Sequence, residues 1–188
     1  MRHSRGPFWM ELTVAPAAIV ISSASLWIAV RAGQTQERLL AASVWPFLQY
    51  STSDSYPAPG VEIDFNLQNA GVGPARVRWA SLYYGGKAYA SAEDAFRICC
   101  GATKRVNRTT SYLQERVLVA DETVRFIRVP KQGNDARMWS RLDAERLKFY
   151  VHACYCSVLD ECWLFDSRRA QPQPVRPCPP AETPRFSG

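Results

Sequence analysis

From residue 12 to residue 30 the chain runs for nineteen positions without a charged side chain, between Glu11 and Arg31. A helix needs about 20 predominantly apolar residues to cross the hydrocarbon core of a bilayer, so this run is just long enough. Phe8 and Trp9 before it and Trp27 near its end suit the headgroup boundary. Pro16 falls near the start of the helix, where a missing N–H costs little. Ser22, Ser23 and Ala24 would also suit a signal-peptide cleavage site. The apolar run continues past them through Leu26, Trp27 and Ile28, which favours an uncleaved signal anchor. Residues 32–43 contain no breaker after Gly33 and extend the helix as a stalk.

Beyond residue 43 the period changes. Residues 44–50 read as a strand that Pro46 places at a sheet edge, and 51–60, with Pro57 and Pro59, as a loop. In 61–68, Val61, Ile63, Phe65 and Leu67 alternate with Glu62, Asp64, Asn66 and Gln68, the pattern of a strand with one face on a core and one on water. Residues 75–84 form the next strand and Gly85-Gly86 a turn. A short helix is expected over 92–98, and a hairpin from 116–120 and 123–129 around Asp121-Glu122. A second helix covers 135–146 behind an Asp135 N-cap. Residues 147–158 and 162–165 make a last strand pair. From 168 onward six prolines and no apolar period predict a disordered or extended tail.

Strands at short intervals, with too few helices for βαβ units, predict a mainly β protein. Its domain, over 44–167, is expected to be an antiparallel β-sandwich of the Ig-like kind, behind an anchor and stalk over 1–43 and ahead of a tail over 168–188.

The most distinctive stretch is Asn69-Ala70-Gly71-Val72-Gly73-Pro74-Ala75. Its Asn and Gly residues can take positive φ, and Pro74 leads into a strand rather than a helix. Turn chemistry therefore fits better than a phosphate cradle, which needs the free N–H groups of a helix start. With the N-terminal anchor, Trp45-Pro46 and the late Tyr155-Cys156-Ser157…Cys162-Trp163 segment, this motif resembles bacterial single-pass membrane proteins carrying a β-sandwich domain, a group to which no activity is attached.

The cysteines decide the orientation. Arg2 and Arg5 before the apolar run nearly balance Arg31 and Arg38 after it. All six cysteines, an even number, follow the run, which suits an oxidising compartment. The expectation is a single-pass inner-membrane protein with its N-terminus in the cytoplasm and its domain in the periplasm. Cys156–Cys162 is an expected bridge, and a second should tie Cys99 or Cys100 to Cys154 or Cys178. A Cys99–Cys100 bridge is disfavoured by ring strain, and Cys154–Cys156 by the spacing along a strand.

Charge and candidate chemistry add less. The net charge of +6 is spread along the chain without a basic stripe or a nucleic-acid-binding module, so nucleic acid is not an expected partner. Arg97, Lys104, Arg105 and Arg108 make 95–114 an acid-free basic loop, weak candidates for contact with acidic lipid or an acidic partner. His152, Cys154 and Cys156 share one strand face and Cys162 can swing opposite, a possible soft-metal set, but C-x-C-x5-C lacks the usual knuckle spacing. With two histidines in the chain, and no Ser or Cys beside an evident His–Asp pair, no catalytic residue is assigned. Ala15, Ala18, Ser22, Ser25 and Ala29 form a small-residue stripe that would permit helix pairing into a homodimer. The function expected is non-enzymatic: a membrane-anchored extracytoplasmic binding or assembly module, without a cofactor. The alternative is a thiol- or metal-dependent activity at the His/Cys cluster.

Overall fold

The computed structural model describes residues 8–54 and 60–188, apart from the side chains of 8–15 and 17. It divides into two units, Met1–Ala42 and Ser43–Gly188.

The first unit is α1, one unbroken helix over Phe8–Ser43, so the expected anchor and stalk are continuous. Ile19, Val20, Ile21, Leu26, Trp27, Ile28 and Val30 are all exposed on it. Among the described residues, no helix is long and apolar enough to cross a membrane. The span expected over 12–30 falls in part on 12–15 and 17, outside the described side chains.

The second unit comprises β1 (Leu48–Ser53), β2 (Glu62–Asn69), β3 (Ala75–Tyr84), β4 (Lys87–Tyr89), α2 (Ala92–Cys100), β5 (Thr109–Thr110), β6 (Val117–Leu118), β7 (Thr123–Pro130), α3 (Ala136–Glu145), a 3-10 turn (Arg146–Lys148), β8 (Tyr150–Cys156), β9 (Cys162–Asp166) and β10 (Gln173–Val175). They build two antiparallel sheets. One has the order β1-β2-β7-β5; the other has the order β10-β9-β8-β3-β4, with β6 also on β3.

The core follows from the alternation. Ile63, Phe65 and Leu67 of β2 are fully buried, as are Val77, Ala80 and Leu82 of β3 and Val151, Ala153 and Tyr155 of β8, to within 1%. Phe65 meets Phe126 and Phe149 edge-on at 6.4 and 5.3 Å, a favoured aromatic arrangement. The short helices are locally encoded. Ser91 Oγ accepts from Asp94 N to start α2, and Gly101 closes it at φ 68°. Asp135 accepts from the Arg137 and Met138 amides, which caps α3 as its sequence predicts.

The other face of β2 departs from expectation. Glu62 and Asp64, read as facing water, are buried. Arg128, paired with Asp64 in the register of β7, donates to the Glu62 carboxylate at 2.8 and 3.0 Å, and Arg125 lies 3.7 Å from Glu62. Arginine stems shield those carboxylates while their charged heads stay near solvent. The hairpin expected over 116–129 is also corrected. Its turn exists, with Asp121 at φ 63°, but β6 pairs with β3 while β7 pairs with β2 and β5. The two strands therefore enter different sheets.

The Asn69 motif is a clamp. The buried Asn69 amide accepts from the Phe47 and Gly71 amides at 3.1 Å each. Its Nδ2 lies 2.8, 3.0 and 3.1 Å from the carbonyls of Gly73, Leu118 and Val119. Residues 44–47 lie directly on this loop, and Val72 N donates to Trp45 O at 3.0 Å. A Cβ on Gly71 would come within 2.4 Å of Phe47 N, and one on Gly73 within 2.0 Å of Val44 O. These glycines are required by close backbone approach, not by the positive φ read from the sequence.

Candidate functional site

The outer face of the six-stranded sheet carries the chemistry. Register aligns Ser81, His152 and Asp166 across β3, β8 and β9, then Trp79, Cys154 and Leu164, then Arg76, Cys156 and Cys162. A bulge between Val77 and Trp79 keeps Trp79 in line with Cys154.

Residues 176–187 cross this face as a strap, so of the disordered or extended tail expected after 168 it is the extended form that is seen. β10 extends the sheet beside β9, and Cys178 is bridged to Cys154. Trp79 Nε1 donates to Pro179 O at 2.8 Å. The Tyr83 and Thr183 hydroxyls lie 3.0 Å apart, and Thr183 Oγ1 donates to Ser81 Oγ at 3.2 Å. Phe186 N donates to Ala80 O at 2.8 Å, while its ring enters the core against Phe126 at 5.6 Å. The proline content that suggested disorder also favours an extended backbone that can lie across a sheet.

Between strap and sheet lies a cavity of about 270 Å³ lined by Trp79, Tyr83, His152, Leu164, Asp166 and Thr183, among others. Its polar end is organised by Asp166. Burial pushes this carboxyl up, but hydrogen bonds from the Arg168 side chain and backbone, with the charges of His152 and Arg168, outweigh burial and hold it at about 2. His152 Nε2 is 3.2 Å from Asp166 Oδ2. Burial lowers the imidazole's pKa more than Asp166 raises it, and Arg168 adds to the lowering. A neutral His152 therefore sits in an aromatic stack, 4.5 Å from the Tyr83 ring. Arg168 lies over Tyr150 at 4.0 Å. Ser81, His152 and Asp166 are neighbours in register, yet among the described residues no hydrogen bond joins Ser81 to His152; Ser81 accepts from Thr183 instead. The arrangement can hold a ligand and exchange a proton at His152, but among the described residues no hydroxyl is aligned on the imidazole as a nucleophile.

The cysteines form three bridges, Cys99–Cys100, Cys154–Cys178 and Cys156–Cys162. Cys156–Cys162 is the pair expected across the β8–β9 hairpin. The bridge expected from Cys99 or Cys100 to Cys154 or Cys178 is not present, and the disfavoured Cys99–Cys100 pair is. Cys100 points into the hydrophobic core from α2, whereas Cys154 and Cys178 lie on the outer face of the sheet, so the packed core separates them. The metal set read from sequence changes too. Among the described residues, the soft ligands that converge are Cys156, Cys162 and Cys178, all within 4.8 Å of one another. His152 instead joins Asp166, Cys154 is bridged to Cys178 and lies outside the group, and Cys178 takes their place.

The basic loop is partly neutralised. Arg108 pairs with Glu93 and Arg97 with Asp94, both acids from α2 just upstream; Lys104 and Arg105 remain exposed. Sequence reasoning missed Trp79, Tyr83, Asp166 and Thr183. The available signal was the odd Cys178 and the lone Phe186 in a stretch otherwise free of large apolar residues. Compared with known proteins, the chain matches no protein-family model, no curated protein and no solved structure.

Proposed function

We propose that the protein is a membrane-anchored, extracytoplasmic binding module whose ligand enters the cavity beneath the strap. The cavity carries this reading: apolar and aromatic walls with a few convergent polar groups are the usual make-up of a small-molecule site. At about 270 Å³ it suits a small, partly apolar ligand or a single side chain of a partner.

In the same reading α1 is an uncleaved signal anchor with its N-terminus in the cytoplasm. The charge-free run of 12–30 and the exposed apolar side chains of its described part support this. Six cysteines held in three bridges favour an oxidising compartment, the periplasm, for the domain. The two sheets would form an Ig-like sandwich. Helix pairing along the small-residue stripe would make the anchor a homodimer, and the resemblance to bacterial single-pass proteins is part of the same proposal.

A thermal-shift screen of small organic molecules on the full chain in detergent tests the site. Hits should lose their shift in Tyr83→Ala and His152→Ala; hits unaffected by either change would place binding elsewhere. An impermeant thiol reagent, added to intact spheroplasts after mild reduction, should label the domain cysteines. Labelling confined to lysed cells would reverse the orientation.

A further inference from the structure

Two of the bridges share one cluster of sulfurs. Cys156 Sγ lies 3.7 Å from Cys178 Sγ, and Cys162 Sγ completes a group within 4.8 Å. Non-bonded sulfurs in such contact are placed for thiol–disulfide exchange, in which a thiolate attacks one sulfur of a disulfide. The group opens onto a cleft lined by Arg76, Arg78, Asp160, Arg176 and Pro177 as well as the cysteines. Each of these guanidiniums is ion-paired, Arg76 with Asp160, Arg78 with Glu115 at 3.1 Å and Arg176 with Glu161 at 3.6 Å, so the contact between the sulfurs is what places them for exchange.

We infer that Cys154, Cys156, Cys162 and Cys178 form a thiol–disulfide exchange site, at which reduction of Cys156–Cys162 transfers the strap from Cys154 to Cys156. A small or protein dithiol is the co-reactant. Its thiolate attacks Cys162 Sγ, the Cys156–Cys162 bond breaks, and the electron pair leaves on Cys156. The second thiol of the dithiol then resolves the mixed disulfide, so the dithiol is oxidised to its disulfide and Cys162 is released as a thiol. The Cys156 thiolate attacks Cys178 Sγ; the Cys156–Cys178 bond forms as Cys154–Cys178 breaks, and Cys154 departs as the thiolate. The second exchange changes no oxidation state. It moves the tether by two residues along β8, about 6.6 Å of extended chain, next to the cavity wall formed by Pro179 and Thr183.

The test uses the full chain in detergent, with alkylation under acid quench and mapping of bridged peptides. In Cys162→Ser, Cys156 is left as a thiol. At least about a tenth of Cys178 should then be found on Cys156, with an equal share of Cys154 alkylated, because the competing bridges differ by one exchange step. In Cys154→Ser, the Cys178 thiol should attack Cys156 and release Cys162 for alkylation. Cys178 found on Cys154 alone in the first variant, with Cys162 unreleased in the second, overturns the inference. If a variant loses its cooperative melt, wild-type protein under graded dithiol gives the same reading from bridges formed natively. A Cys156–Cys178 peptide appearing before full reduction supports the exchange, and direct passage to four free thiols contradicts it.

Discussion

Two segments outside the regular strands are pinned to this domain, and they are held by opposite means. Residues 44–47 lie on the Asn69 loop, where one buried amide serves five backbone groups and two glycines allow backbone to touch backbone. The strap over 176–187 is held by one bridge, a few side-chain hydrogen bonds, two backbone hydrogen bonds near its end and the Phe186 ring, and it leaves a cavity beneath it. The first contact is a connected network centred on one buried amide. The second is made of separable links, one of which is chemically exchangeable. A fully satisfied polar network rigidifies the chain around it, whereas a segment held at discrete points can open locally at less than the global free energy. The contrast makes the clamp the more rigid of the two, and the strap the segment that borders the proposed binding cavity.

The largest expected effect lies in the clamp. Gly73→Ala forces a Cβ against the Val44 carbonyl, and Asn69→Ala orphans buried donors and acceptors. Each should cost about 3–5 kcal/mol, read as a fall in denaturant midpoint. A loss below about 1 kcal/mol would remove the clamp from the account.

Next comes the strap's plug. Phe186 is 1% exposed, and Phe186→Ala should cost about 3 kcal/mol by the cavity it leaves. Unlike the clamp variants, it should also make residues 176–187 sensitive to protease while the sheets still melt cooperatively. Equal sensitivity throughout the domain would erase the distinction between the two segments.

How much of this was legible differs between the two regions for a physical reason. Strands β2 and β3 and the capped helix α3 are written in local alternation and a local Asp135 cap. The Asn69 loop was recognisable as special, but the need for its glycines comes from residues 44–47 packing on it, a contact across more than twenty positions. The cavity was not legible. It joins β3, β8 and β9 to a strap a hundred residues from Trp79, and proline content there suggested disorder where it encodes an extended path. Asp166 stood at the very edge of the expected domain, so its pairing with His152 depended on a register the sequence does not state.

The smallest expected effect is the response to pH. Asp166 is held at about 2 against its ordinary 3.8. Its contribution is full above pH 3.8 and is lost as pH falls through about 2. With Arg168 and Arg169 more than half exposed, that contribution is about 1 kcal/mol after screening. His152 has a lowered pKa in the folded state, so the unfolded chain takes its proton first. Stability is full above about pH 6.5 and declines as pH falls from there toward the folded value. Melting temperature against pH should show this upper decline in the wild type and a flatter profile in His152→Gln; identical profiles would mean the imidazole is not buried neutral.

Amide hydrogen exchange on the full chain in detergent, followed by peptide, compares the two segments in one experiment. The account predicts that 176–187 exchanges through local opening, faster by at least about a hundredfold than 69–73, which should exchange only with global unfolding, and that mild reduction widens the gap. Exchange of both segments at one common rate, before and after reduction, would contradict it.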